Sequence, residues 1–213
     1  MRLFALVLLL ALPAQAQDRS AITIVERREV RLAAYATLPT HSLALTLVHF
    51  KEGGWDPDLI IAAARQAAPI LAQCGVALST LDLVLVGAPA PYRYYRTPVS
   101  RALARALPLP RPAIYFVAGT RQNPAFDAEA IGRGNSGPRP ELQDTVWIAL
   151  GTRDVGLVLA HEVAHVLMDS GEHSDEPGNL MREDTAPGNV RLTELQCARL
   201  RDVGSANGLL RPR

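Results

Sequence analysis

The chain has 213 residues, 48% of them hydrophobic, and a formal net charge of +1. That length suits one domain of ordinary size, and that hydrophobic share excludes general disorder. A near-balanced charge without a polybasic block excludes nucleic acid and an anionic membrane surface as partners.

The first segment, MRLFALVLLLALPAQAQ, carries one cation at Arg2, an apolar run from Leu3 to Leu12, and Ala14-Gln15-Ala16 as a small-x-small site. It has the form of a secretory signal peptide over residues 1–16, its apolar run being too short to span a bilayer as a helix. The expected mature protein is secreted or periplasmic and free of the membrane. Export gives the two cysteines, Cys74 and Cys197, a compartment in which disulfides persist. They form the one disulfide open to them or stay two buried thiols. The disulfide is the expectation, closing a loop of well over a hundred residues, worth about 4–5 kcal/mol in the chain-entropy model.

Residues 17–41 read as an N-terminal extension with some strand character in AITIVERREVRL and no role that the sequence assigns. A single domain is expected over 42–213. SLALTLVHF (42–50) is apolar and β-branched and predicts a strand. Asp56 as N-cap and Pro57 at the first helical position predict a helix over 57–74. Leu59, Ile60, Ala63, Ala67, Ile70 and Leu71 recur along it at helical spacing, Pro69 lies inside, and Gly75 ends it.

VALSTLDLVLVG (76–87) predicts a second strand, bent in the middle, and a loop with PYRYYR leads to a short helix over 99–107. AIYFVAG (113–119) and DTVWIAL (144–150) predict two more strands, separated by a long loop with an edge strand near 128–132. A helix capped by Thr152 or Asp154 then runs to about Met168. In the last helix, which runs to about Val203, Thr193 and Gln196 form a capping box and Leu192 with Cys197 a hydrophobic staple. The element order predicts an α/β (α+β) architecture: one mixed, mostly parallel twisted sheet with an early helix, an active-site helix and a C-terminal helix.

Residues 161–181 read HEVAHVLMDSGEHSDEPGNLM. His161 and His165, four residues apart on a helix, project from one face, so both imidazoles can reach one divalent ion. Glu162 lies beside that ion without binding it, placed to take a proton from a water whose pKa the ion lowers. The pentapeptide alone is a weak signal, but Leu157, Leu159, Val163, Val166 and Leu167 around it predict a buried, rigid mount. Gly171 is expected to supply the left-handed residue that reverses the chain and returns His173 toward the ion as third ligand.

The histidine array, the glycine, the His173-Ser174 pair and the Asn179-Leu180-Met181 run resemble the metzincin metalloproteases. The serine after the third histidine and the Leu192-Thr193 start of the last helix are similar to the matrixin branch. The specific part of the resemblance is confined to residues 161–181. It implies a zincin-like catalytic domain in which zinc is held by His161, His165 and His173, Glu162 is the catalytic base, and Met181 forms a hydrophobic floor in a Met-turn. It also implies hydrolysis within peptide or protein chains, with the substrate paired in extended form to an edge strand within 125–139. The expected enzyme is a monomer.

This chain departs from that pattern. Met168 stands at the glycine position and Gly171 at the last ligand position, so the run to His173 is two residues longer. Asp169, Glu172 and Asp175 are the alternative oxygen ligands, and Glu183 stands where some branches carry tyrosine. Two other functions fit the same residues: a secreted binding protein that keeps the fold without turnover, and a metallohydrolase of cell-wall peptides. An intact Glu162 argues against the first. His41 and His49 are expected as surface or core histidines, and the PYRYYR tyrosines as packing residues. GRGNSG lacks the strand–glycine–helix context of a phosphate loop.

Overall fold

A computed structural model describes residues 22–32 and 39–213; the expected signal peptide lies outside the described residues. β1 (Thr23–Arg31) belongs to the segment whose role the sequence left open, and it forms an edge of the sheet. β2 (His41–Phe50) is followed by α1 (Pro57–Ala72), where Asp56 accepts from the Asp58 amide and Pro57 opens the first turn. Pro69 sits on the exposed side of α1, where water can satisfy the carbonyl it leaves unpaired. Gly75, at φ 69°, takes the left-handed residue after the helix.

β3 (Val76–Gly87) pairs in parallel with β2 and antiparallel with β1. The bend expected in its middle is a bulge. Leu43 pairs with Leu78 and Ala44 with Thr80, which leaves Ser79 unmatched, its hydroxyl donating to the Leu43 carbonyl. β4 (Tyr94–Tyr95) forms a small parallel sheet with β6 (Gly119–Thr120). Between them lie α2 (Thr97–Ala106), which starts two residues before the expected 99 with Pro98 in its first turn, and β5 (Ala113–Val117).

β7 (Ala128–Ile131) is the expected edge strand, antiparallel to β8 (Thr145–Ala149). α3 (Val155–Met168), α4 (Glu194–Ala206) and β9 (Leu210–Pro212) complete the chain. The main sheet runs β1-β3-β2-β5-β8-β7, with β9 on β2; its β3-β2-β5-β8 centre is parallel and its outer pairings antiparallel. The expected mixed, mostly parallel sheet is borne out.

Alternation along the strands builds two cores. Ile114, Phe116, Val146 and Ile148 join Leu43, Leu45 and Leu47 beneath α1, α3 and α4. Tyr115, Val117 and Trp147 face α2 on the other side, where Tyr115 stacks on Trp147 at 4.1 Å. Each large aliphatic side chain buried this way contributes about 1.5–3 kcal/mol. α3 is buried from Gly156 to Met168, His161, Glu162 and His165 included. Gly156 permits its close approach to α1, since a Cβ there would lie 2.6 Å from the Gln66 Cβ.

The disulfide Cys74–Cys197 joins the end of α1 to the first turn of α4 across 123 positions of sequence. The capping box of α4 is formed: the Gln196 amide donates to the Thr193 hydroxyl and the Thr193 amide to Gln196 Oε1. Leu192 packs against the core that contains Cys197.

Candidate metal centre

α3 places His161 and His165 one turn apart with 3% and 7% of their surfaces exposed. Each ring is held from behind by a backbone carbonyl. His161 Nδ1 donates to Leu180 O at 2.7 Å, and His165 Nδ1 donates to Ser170 O at 2.6 Å. A carbonyl only accepts, so the proton of each neutral ring sits on Nδ1, and each Nε2 carries a lone pair. Those two nitrogens face each other at 2.9 Å. Two lone pairs at that separation repel unless a proton or a cation lies between them, so this donor set fits a metal ion.

His173 completes the cluster. One ligand atom from each of the three histidines lies within 4.8 Å of the others, and its ring is 5.5 Å from His161 and 5.0 Å from His165. The next residue fixes its backbone, as the Ser174 amide donates to Met181 O at 2.7 Å. Burial lowers the basicity of both helix histidines, and His165 falls to about 4 with the neighbouring His161 as second cause. Burial thus favours the neutral form of both rings, which is the form that ligation requires.

The structure corrects the turn that brings His173 back. Gly171 is not the left-handed residue: Asp169 is, at φ 46°, as C-cap of α3. Aspartate tolerates this conformation better than most side chains, and its carboxylate is used to hold it. Asp169 Oδ1 accepts from the Gly134 amide at 2.8 Å, and Gly132 makes room, since a Cβ there would come within 2.6 Å of that oxygen. The helix therefore runs through the glycine position of the metzincin pattern, Met168, and the chain turns one residue later at Asp169.

The start of α3 falls where expected but is not closed by a side-chain cap. Asp154 is the N-cap residue, one of the two expected, but it is left-handed and makes no side-chain cap bond, while the Thr152 hydroxyl donates to Asp127 O and Ala149 O.

Among the alternative oxygen ligands, Asp169 is committed to Gly134, and Glu172 is paired with Arg199 at 2.9 Å. Asp175 is absent from the histidine cluster. Met181 is buried beneath the loop, its amide bonded to Asn179 Oδ1 at 2.8 Å. His49 is buried in the sheet, and His41 lies at the start of β2 beside Thr40. Tyr92 and Tyr95 pack in the core.

Glu162 is only 9% exposed, and the backbone amide of Ala130 on β7 favours its charged form. Burial, followed by the charge of Glu129, pushes its carboxyl up to about 8. A cation held by the histidines would act in the opposite direction. Glu129 is clamped by Arg139 at 2.8 Å, and Arg139 also donates to the Tyr95 hydroxyl. A cavity of about 900 Å³ runs over this array, lined by Ala128, Ala130 and Asn135 on one side and by Glu183 and Thr185 on another.

The edge strand expected within 125–139 contains Ala130, but residue types there did not reveal the Asn135 bond to Ala130 O or the Gly132–Gly134 buttress of Asp169. These contacts depend on where distant segments are brought together, which residue types in the segment do not encode.

No family model matches the chain, and no curated protein matches it in sequence. Solved structures do share its fold. Metalloproteinase-II from Bacteroides fragilis superimposes over 83% of this chain with a TM-score of 0.54 at 18% identity. Archaemetzincin from Methanopyrus kandleri does so over 76%, with a TM-score of 0.51 at 14% identity. The matched region is 57% of the Bacteroides chain and 96% of the Methanopyrus chain. At these identities the likeness is one of fold.

Proposed function

We propose that this chain is an exported zinc-dependent endopeptidase. The observation that carries the reading is the pair of Nε2 lone pairs on His161 and His165, turned on each other by their carbonyl partners, with the buried Glu162 beside them. Zinc bound there supplies a Lewis acid that polarises a peptide carbonyl and acidifies a water. His161, His165 and His173 would hold it, and Met181 would line the floor beneath. Glu162, buried beside the two helix histidines, takes the proton from the attacking water and passes it to the departing amine. The outward side of β7 offers a strand edge to an extended peptide. The cavity reaches past the histidines toward both ends of β7, from Arg153 to Asn135, which supports cleavage within a chain. A disulfide between buried cysteines supports export.

The test is Glu162→Gln. The variant is expected to keep its zinc by metal analysis and to lose at least about a hundredfold in kcat on a peptide library that the wild type cleaves in a chelator-sensitive way. Full activity in the variant would sink the mechanism. Zinc binding without cleavage of any peptide by the wild type would favour a binding protein, and cleavage of cell-wall peptides alone would narrow the substrate.

A further inference from the structure

We propose that Arg153 makes one end of the cleft a subsite for a carboxylate on the C-terminal half of a bound peptide. This deepens the peptidase reading and rests on it. Among the described residues that line the cavity, Arg153 is the only lysine or arginine. The other arginines around the site are committed: Arg133 to Asp144 and Asn207 O, Arg139 to Glu129, and Arg199 to Glu172 and Met168 O. Arg153 has no ion pair or hydrogen bond among the described residues. Asp127 shares the cavity wall and Asp154 is its chain neighbour, yet neither pairs with it.

The backbone beneath Arg153 is anchored although its side chain is exposed. The Thr152 hydroxyl bonds Asp127 O and Ala149 O, and Asp154 O accepts from the Leu157 and Val158 amides. An anchored stem with a free guanidinium differs from a surface arginine on a loose loop, because less freedom is lost when it engages an anion.

Chain direction places this charge relative to the substrate. Asp127 O accepts from Ala149 on β8, and Ala130 O accepts from the Asn135 side chain, so Ala128 and Ala130 turn their backbone groups away from β8. A peptide that adds to this edge antiparallel, the more stable pairing, runs opposite to β7. Its N-terminal half then lies toward Ile131, and its C-terminal half toward Ala128, Thr152 and Arg153. The carboxylate is that of an aspartate or glutamate side chain or the free C-terminus of a short peptide.

The experiment measures binding, so it does not depend on turnover. N-terminally fluorescein-labelled hexapeptides of alanine and glutamine are titrated into zinc-loaded Glu162→Gln protein and followed by anisotropy. One arm carries glutamate for glutamine at each position in turn, with an amidated end. The other carries only glutamine, with a free carboxylate. A carboxylate in the C-terminal half is expected to tighten binding about threefold to tenfold at low salt, less at high salt. The gain should vanish when Arg153→Gln is added and reverse with Arg153→Glu. Which arm responds identifies the source. Equal binding of all peptides, no binding, a gain confined to the N-terminal half, or a gain that survives Arg153→Gln each overturns the proposal. Wild-type turnover of the same peptides is scored separately. A carboxylate preference without cleavage would sink the peptidase reading and leave the Arg153 assignment standing.

Discussion

The amides of Asn179 and Gln196 exchange hydrogen bonds, Nδ2 to Oε1 at 3.0 Å and Nε2 to Oδ1 at 3.2 Å. Gln196 is also the N3 residue of the α4 capping box, and Asn179 Oδ1 also receives the Met181 amide. One side chain thus ties the start of α4 to the loop whose Leu180 carbonyl orients His161. Gln196→Ala is therefore expected to destabilise the fold by about 1–3 kcal/mol and to weaken zinc binding about tenfold. Thermal melts and competitive zinc titration would check both. Loss of stability with unchanged zinc affinity would show that the tie does not reach the metal site.

The third ligand is the next point to test. His173→Ala should weaken zinc binding by more than the roughly 10- to 100-fold typical of losing an outer partner. Asp169 should matter through its backbone instead. With φ at 46° and its carboxylate on the Gly134 amide, Asp169→Asn should be nearly neutral, and Asp169→Ala should lose about 1–3 kcal/mol. An Asp169→Ala protein that folds normally but loses zinc as completely as His173→Ala would make the aspartate the ligand.

The disulfide closes a long loop, so its removal acts mainly on the unfolded chain. Cys74→Ala with Cys197→Ala is expected to cost about 2–5 kcal/mol in denaturant unfolding. The α1–α4 contact should persist in the folded state, because both positions lie in a continuous apolar core. An unfolding midpoint equal to that of the wild type would refute this.

Acid should act through Glu141. Hydrogen bonding to Arg101 is the main cause that lowers its carboxyl from 4.5 to about 2. Because the folded value lies below the unfolded one, the unfolded chain binds the proton more readily. The contribution is complete above about pH 4.5 and is lost as pH falls through 2. The melting temperature of Glu141→Gln should lie below that of the wild type at neutral pH and converge with it near pH 2. Parallel curves across that range would contradict the assignment.

Much of this protein was legible in its sequence because the signals are local. The 2-residue alternation of the strands, Asp56-Pro57 at α1, the Thr193–Gln196 box at α4 and the His161–His165 spacing each act within a few residues, and each appears in the structure. Two cysteines allow a single pairing, so their bond was legible as well.

What sequence did not decide depends on distant partners. Asp169 rather than Gly171 turns the chain, because Gly134, 35 positions away, supplies a donor that holds a left-handed aspartate. β1 joins the sheet only because β3 presents an edge to it. Ala130 shares a cavity wall with Glu162, and Arg153 faces a cleft that exists only when β7 and α3 meet. The histidine spacing determined what chemistry is available; the tertiary packing decided where the lone pairs point and what lies on either side.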